Sequence, residues 1–281
     1  MSQPRPLIRA MTAGELDLAL EWAAAEGWNP GLDDAAAFGA ADPEGLLIAE
    51  IGGEPAASLS IARFGGRHAF LGLFICRPEF RGRGVGLALW QEGLARLAPE
   101  VTGLDGVPAQ QANYARAGFA PSHRTLRYAG PLVARRPDRT EPLAPAHLNA
   151  ALALDRAVTG FDRGAFLADW LTGARSRRGR ALVRDGRLAG LGLLRDCREG
   201  VKIGPLIAPD RMGAEALLDG LAALAPGAAA MIDIPEPNEP AVAMVRERGL
   251  TAVFETARMW RGPAPAQDLA RTFGVATLEL G

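Results

Sequence analysis

Apolar and polar positions change period in a regular order along the first half of the chain. Residues 7–11 read as a short strand. A helix is predicted to begin after Thr12, where Leu16, Leu18, Ala19, Leu20 and Trp22 supply one buried face. Gly27-Trp28-Asn29-Pro30-Gly31 is then a loop, because glycine and proline bracket it, and a second helix covers residues 33–39. The runs 46–51, 56–63 and 69–76 read as strands. Gly52-Gly53 and Gly65-Gly66 stand between them as hairpin turns, so the pairing is antiparallel. A helix over 84–97, a strand over 101–105, a helix over 110–117 and a strand over 125–128 complete the series.

The series then repeats. Gly118-Phe119, Thr125-Leu126-Arg127 and Gly130-Pro131 are echoed by Gly249-Leu250, Thr256-Ala257-Arg258 and Gly262-Pro263. Gly53 with Ala56-Ala57 is echoed by Gly186 with Ala189-Gly190, and Pro78-Glu79 by Pro209-Asp210. The shared offset of about 131 residues is too long for a solenoid repeat and indicates a duplicated domain. The predicted organisation is a domain over 1–133, a linker over 134–142 rich in charge with Pro137 and Pro142, and a second domain over 143–281.

Composition narrows the classes. Hydrophobic residues are 48% and charged residues 22%, as in ordinary globular chains. Lys+Arg is 31 against Asp+Glu 32, a net charge of −1, which argues against a protein held to nucleic acid by phosphate contacts. Lys202 is the single lysine. Cys76 and Cys197 are too few for a disulfide scaffold and lack metal-ligand spacing, so reduced thiols and a cytoplasmic location are expected, with no metal. No apolar run is long enough to span a membrane, and Met1-Ser2-Gln3-Pro4-Arg5-Pro6 lacks the apolar core of a signal peptide.

The chemistry concentrates where the strand Phe70-Leu71-Gly72-Leu73-Phe74-Ile75-Cys76 runs through Arg77-Pro78-Glu79-Phe80 into Arg81-Gly82-Arg83-Gly84-Val85-Gly86 and a helix. Glycines admit close backbone approach, and free N–H groups at a helix start attract phosphate. A P-loop would need Lys-Ser/Thr where Leu87-Ala88 stand. A dinucleotide fingerprint would need a third glycine at Leu87, and a parallel sheet. The Arg-x-x-Gly-x-Gly pattern of a coenzyme A pyrophosphate turn fits at each defined position.

This run, with Tyr114-Ala115-Arg116-Ala117-Gly118-Phe119, resembles the GNAT N-acetyltransferases. The whole chain resembles the narrower group of YitH-like tandem GNATs, through Glu26-Gly27-Trp28-Asn29-Pro30-Gly31, Ile203-Gly204-Pro205-Leu206, Ile232-Asp233-Ile234-Pro235 and Thr277-Leu278-Glu279-Leu280-Gly281. The resemblance implies an α/β (α+β) fold of two tandem GNAT-like domains, each a mixed, mainly antiparallel twisted sheet flanked by helices. It implies acetyl-CoA held by the main chain of Phe74, Ile75 and Cys76 and by Arg81, Gly82, Arg83, Gly84, Val85 and Gly86. Tyr114 takes the general-acid place. Trp28 and Asn29 would border the acceptor. Cys76 reads as a core residue, not a nucleophile.

Two departures stand out. Val107 replaces the asparagine common seven residues before the tyrosine, and 70–76 holds no acid to serve as general base. Glu26, Asp33 and His68 are the remaining candidates for that role. In the second half, Met212-Gly213-Ala214-Glu215-Ala216-Leu217 aligns with the turn, Glu215 stands where phosphate would sit, and Val245 replaces the tyrosine, although Asn238 keeps the asparagine spacing. That half is expected to be degenerate for coenzyme A and to cover the acceptor pocket. The implied activity is direct acetyl transfer from acetyl-CoA to an amine, with a small molecule as the expected acceptor; a non-catalytic acyl-CoA sensor and a protein N-acetyltransferase stay open, as do monomer and homodimer.

Overall fold

The computed structural model describes residues 5–281; the start read above for a leader lies outside it at residues 1–4. The first half runs β1 (Leu7–Ala10), α1 (Ala13–Ala25), α2 (Asp34–Ala41), β2 (Leu46–Ile51), β3 (Glu54–Phe64), β4 (His68–Cys76), α3 (Val85–Leu97), β5 (Val101–Gly106), α4 (Gln111–Arg116) and β6 (Ala120–Pro131). The second runs β7 (Glu141–Pro142), α5 (Leu148–Thr159), α6 (Gly164–Thr172), β8 (Arg177–Arg184), β9 (Arg187–Asp196), β10 (Val201–Ile207), α7 (Arg211–Leu224), β11 (Ala229–Pro235), α8 (Glu239–Glu247), β12 (Thr251–Arg261) and β13 (Thr272–Gly274). The two tandem domains have the expected mixed, mainly antiparallel sheet with flanking helices.

Local sequence explains most elements. Thr12 and Glu15 form a reciprocal capping box at the start of α1, whose Leu16, Leu20 and Ala23 are buried. Gly52 and Gly53, the two-residue turn between β2 and β3, both have positive φ, as a type I′ hairpin turn requires, and so do Gly65 and Gly66 in the three-residue turn between β3 and β4. Gly93 lets α3 lie close on the sheet, since a Cβ there would come within 2.7 Å of Leu59 Cδ2. Part of the stretch read as linker forms structure: β7 pairs with β8, and Asp138 binds Arg180 at 2.8 Å.

The sheets of the two halves are continuous, and their last strands are exchanged. The order is β1-β2-β3-β4-β5-β12-β6-β11-β10-β9-β8-β7, with β13 beside β10. Thus β12 of the second half completes the first half against β5, while β6 of the first half completes the second against β11. Thr125 faces Thr256 where β6 and β12 meet. The repeated arginines lock the exchange. Arg127 on β6 binds Asp233 on β11 at 2.7 and 2.9 Å, and Arg258 on β12 binds Asp105 on β5 at 3.0 and 2.8 Å. All four side chains are buried. The helical layer also crosses the boundary: Phe38 of α2 stacks on Trp170 of α6 at 6.2 Å.

Removing one partner of a buried pair leaves an uncompensated charge, at a cost of about 3–5 kcal/mol. Arg258→Met should therefore lower the thermal midpoint by several degrees, read by circular dichroism melting. A midpoint equal to that of the unsubstituted protein would show that the pair does not hold the exchanged strand.

Candidate active site

β4 and β5 are parallel neighbours from His68↔Val101 to Leu71↔Leu104, and their pairing ends there. On its other edge β4 carries a bulge. Between the pairs Ser58↔Ile75 and Ser60↔Gly72, Leu73 and Phe74 together oppose Leu59. Leu73 has φ +45°, an uncommon conformation for a bulky residue, and the buried Ser58 hydroxyl donates to its carbonyl at 2.7 Å. Sequence therefore builds an opening between two strands, with a re-aimed backbone on one side.

The glycine turn closes one end of that opening. Gly82 (φ 72°) and Gly84 (φ 77°) are left-handed, and a Cβ at either would meet nothing within 4 Å. The glycines thus serve conformation and outward space. Gly84 is the N-cap of α3 and has no side-chain cap, so the first N–H groups of a thirteen-residue helix are left for a ligand. A cavity of about 700 Å³ runs from Gly82, Gly84, Val85 and Gly86 past Phe74 and Cys76 to Tyr114 and Arg116. Its glycine floor and free helix start are the features that a pyrophosphate such as coenzyme A's would need. Arg81 lines it, but the guanidinium is turned back, donating to the Cys76 carbonyl at 2.8 Å and pairing with Glu26. Arg83 is outside the lining, with its guanidinium 5.6 Å from the Phe80 ring centre. Ile75 is buried, and burial pushes the Cys76 thiol up, which disfavours a thiolate.

A second cavity of about 580 Å³ lies across the same opening and shares Phe74, Cys76, Arg81, Gln110 and Tyr114 with the first. Tyr114 stands where they meet. Its ring stacks on Trp90 at 5.3 Å, and burial pushes the phenol up to about 12. Trp28, Leu104, Val107, Phe254 and Leu278 give this chamber apolar walls, and Glu26, Asp105, Arg127 and Glu279 give it charge. Burial pushes the Asp105 carboxyl up against the pull of Arg258.

Of the two acceptor candidates, Trp28 lines the chamber and Asn29 does not. The expectation for Asn29 is corrected by its contacts. Its amide donates to the Glu199 carbonyl at 2.8 Å, and its Oδ1 accepts from the Glu199 N–H at 3.2 Å, docking the loop on the second half. Among the candidate bases, Glu26 is at the chamber's mouth. Asp33 accepts from Ser176, which holds its carboxyl below the usual range, and lies outside the chamber. His68 is at the far end of β4, against Phe161 at 6.0 Å. Asp105, Arg127, Phe254 and Glu279 were not singled out from sequence as site residues. The repeated Thr-x-Arg runs were the available signal for Arg127, and Glu279 sits within the closing run quoted above.

The second half has the same opening, and its own chain fills it. β10 and β11 pair in parallel from Val201↔Ala230 to Ile203↔Ile232 and then part. β13 enters the gap, pairing with β10, and Val275 N–H donates to the Asp233 carbonyl at 2.9 Å. Asn238 donates to the carbonyls of Leu269 and Thr272, both at 3.0 Å, and so holds this segment. Asp210 caps α7, accepting from Gly213 N–H at 2.7 Å. The anion at this helix start is therefore Asp210. Glu215 lies a turn further on, bound to Arg211 at 2.9 Å, because α7 begins at Arg211. Val245 is fully buried. Calorimetric titration with coenzyme A should give one site per chain; two sites would contradict the filled gap.

Comparison with known proteins agrees with this architecture. Residues 16–119 match the acetyltransferase (GNAT) family model, and residues 151–274 match an acetyltransferase (GNAT) domain model. Holothin acyltransferase from Pseudoalteromonas sp. (strain SANK 73390) is 30% identical over 270 residues, covering 95% of this chain and 92% of that protein. An acetyltransferase candidate from Pyrococcus horikoshii superposes with a TM-score of 0.81 at 22% identity, over 98% of this chain and 96% of that one. A tandem GNAT protein from the clavulanic acid biosynthesis pathway gives a TM-score of 0.65 at 16% identity, over 92% of this chain and 99% of that one. With each half matched and a relative aligned across nearly the whole length, the chain belongs to the GNAT acetyltransferase family as a tandem of two such domains.

Proposed function

We propose that the first half transfers an acetyl group from acetyl-CoA to the amine of a small molecule, by direct attack of the amine on the thioester. One observation carries the reading: the cradle and the chamber meet at Tyr114, beside the point where β4 and β5 part. Gly82, Gly84, Val85 and Gly86 would hold the pyrophosphate. Main-chain groups of Phe74, Ile75 and Cys76 would hold the pantetheine arm, and an N–H there would polarise the thioester carbonyl. Tyr114 would protonate the departing thiolate. Walls contributed by both halves support a small acceptor over a protein one, and Trp28 and Phe254 suit a flat apolar body bearing the amine. The runs that carry the likeness to YitH-like tandem GNATs supply Glu26, Trp28, Leu278 and Glu279 to the chamber, which supports that placement.

The test is thiol release from acetyl-CoA over a panel of primary amines that includes holothin, the acceptor in the relative's name. Amine-dependent release is expected. Coenzyme A binding without release for any amine would make the protein an acyl-CoA sensor instead.

A further inference from the structure

Glu26, Asp105 and Glu279 are carboxylates of the chamber, and two of them are committed. Both oxygens of Asp105 are taken by the Arg258 guanidinium. Glu26 pairs with Arg81, and at 38% side-chain exposure it stands in solvent. Glu279 differs from both. It accepts from the Thr277 hydroxyl, and no ion pair reaches it among the described residues. The nearby cations are held elsewhere: Arg127 by Asp233, Arg258 by Asp105, and Lys202 by the Trp28 carbonyl at 2.6 Å.

The position of Glu279 is set by the backbone. Residues 275–281 leave β13 and cross β4 at Gly72, where a Cβ would come within 2.3 Å of the Glu279 carbonyl oxygen. Gly72 directly precedes the bulge at Leu73 and follows the last β4–β5 pair. The segment thus carries a carboxylate to the divergence itself. Its charge is felt by Asp105 on β5, Arg127 on β6 and Lys202 on β10.

We propose that Glu279 receives the acceptor, holding its ammonium group and taking the proton that blocks attack. This rests on the acyl-transfer reading above. An alkyl amine is almost wholly protonated near neutral pH, at a pKa of about 10 like that of lysine, and an ammonium nitrogen has no lone pair to donate. An unpaired carboxylate in a half-enclosed apolar chamber attracts a cation more strongly than the same group in water. Glu279 takes one proton from the ammonium and passes it to solvent. The freed lone pair forms the N–C bond to the thioester carbonyl carbon. The C–S bond breaks with its electron pair on sulfur, and sulfur takes the Tyr114 proton. The nitrogen sheds its second proton as the amide forms, and that proton restores the phenol. One proton leaves per turnover.

Glu279→Gln keeps the shape and an acceptor for Thr277, and removes the charge. With benzylamine as the probe, kcat/KM for the amine should fall by about 10²-fold or more, in the range of general base catalysis. Acetyl-CoA affinity and the melting midpoint should be unchanged. Glu279→Asp should recover part of the rate, and so should raising the pH, which supplies free amine from solvent. Unaltered kcat/KM in Glu279→Gln, beside an active unsubstituted protein, would overturn the proposal. A loss shared with acetyl-CoA affinity or melting would also overturn it, as the mark of a structural role. An unsubstituted protein that releases no thiol with any amine would instead sink the acyl-transfer reading, and this proposal with it.

Discussion

Tyr114→Phe is expected to lower kcat by about 10²-fold or more, with acetyl-CoA affinity and thermal stability unchanged. The packing of this residue belongs to its ring. The ring stacks on Trp90, meets Phe119 edge-on at 6.5 Å and lies under Gly106, where a Cβ would come within 2.9 Å of Cδ2. Phenylalanine keeps all of this. The hydroxyl has no protein hydrogen-bond partner among the described residues and opens on the two cavities. Its removal takes away a proton donor and little else. Burial favours the neutral phenol and moves its pKa upward to about 12, so the proton stays in place throughout the neutral and mildly alkaline range. The same apolar surroundings raise the basicity of a thiolate, which keeps the transfer feasible. The pH profile of the unsubstituted enzyme should accordingly show no alkaline fall up to about pH 10, the ordinary phenol value. Steady-state rates of the purified pair, with melting as a control, decide the matter. Equal rates would make Tyr114 a packing residue.

Gly84→Asp should abolish coenzyme A binding and leave the fold intact. The site has φ 77° and space around the Cβ position, and aspartate tolerates left-handed backbone better than most residues. A carboxylate at the start of α3 would repel the phosphate that the free N–H groups there attract. The second half already has that arrangement, with Asp210 at the start of α7. The reverse change, Asp210→Gly, should add no site, because β13 still fills the gap beside β10. Calorimetry measures both. Ordinary affinity in Gly84→Asp would move the pyrophosphate away from this turn.

Period and turn chemistry were enough to read the hairpins of β2, β3 and β4 and the helices α1 and α3, because their signals are local. β6 was read as 125–128 and runs Ala120–Pro131. Its polar start, with Ser122, His123 and Arg124, suits a loop by local preference. Pairing with β12 on one edge and β11 on the other extends it. The exchange of β6 and β12 was not legible, since a strand's pattern states which face is buried and not which neighbour it takes. Thr125, Arg127, Thr256 and Arg258 were seen as a repeat, and only the structure gives the reason: two sit opposite one another, and two bind aspartates in the other half. The glycine turn and Tyr114 were legible because their chemistry is contiguous in sequence. Glu279 was not, because the approach of residues 275–281 to Gly72 is a long-range contact. Asn29 misled for a related reason: a polar residue in a loop beside a pocket has the same sequence signature whether it faces a ligand or, at φ 48°, a hairpin of its own chain.

The strand exchange has the symmetry of two identical subunits that trade an arm, here written on one polypeptide. In such a pair, any change to one binding cleft is made in both. Joining the copies lifts that constraint and lets each drift separately. One copy can keep a glycine cradle while the other accepts an aspartate cap and a strand in its cleft. The same stretch of chain can then stop one cleft with β13 and go on to wall the other at Gly72. A two-fold symmetric assembly could not do both with one sequence, so the filled cleft of one half goes together with the asymmetry of the other.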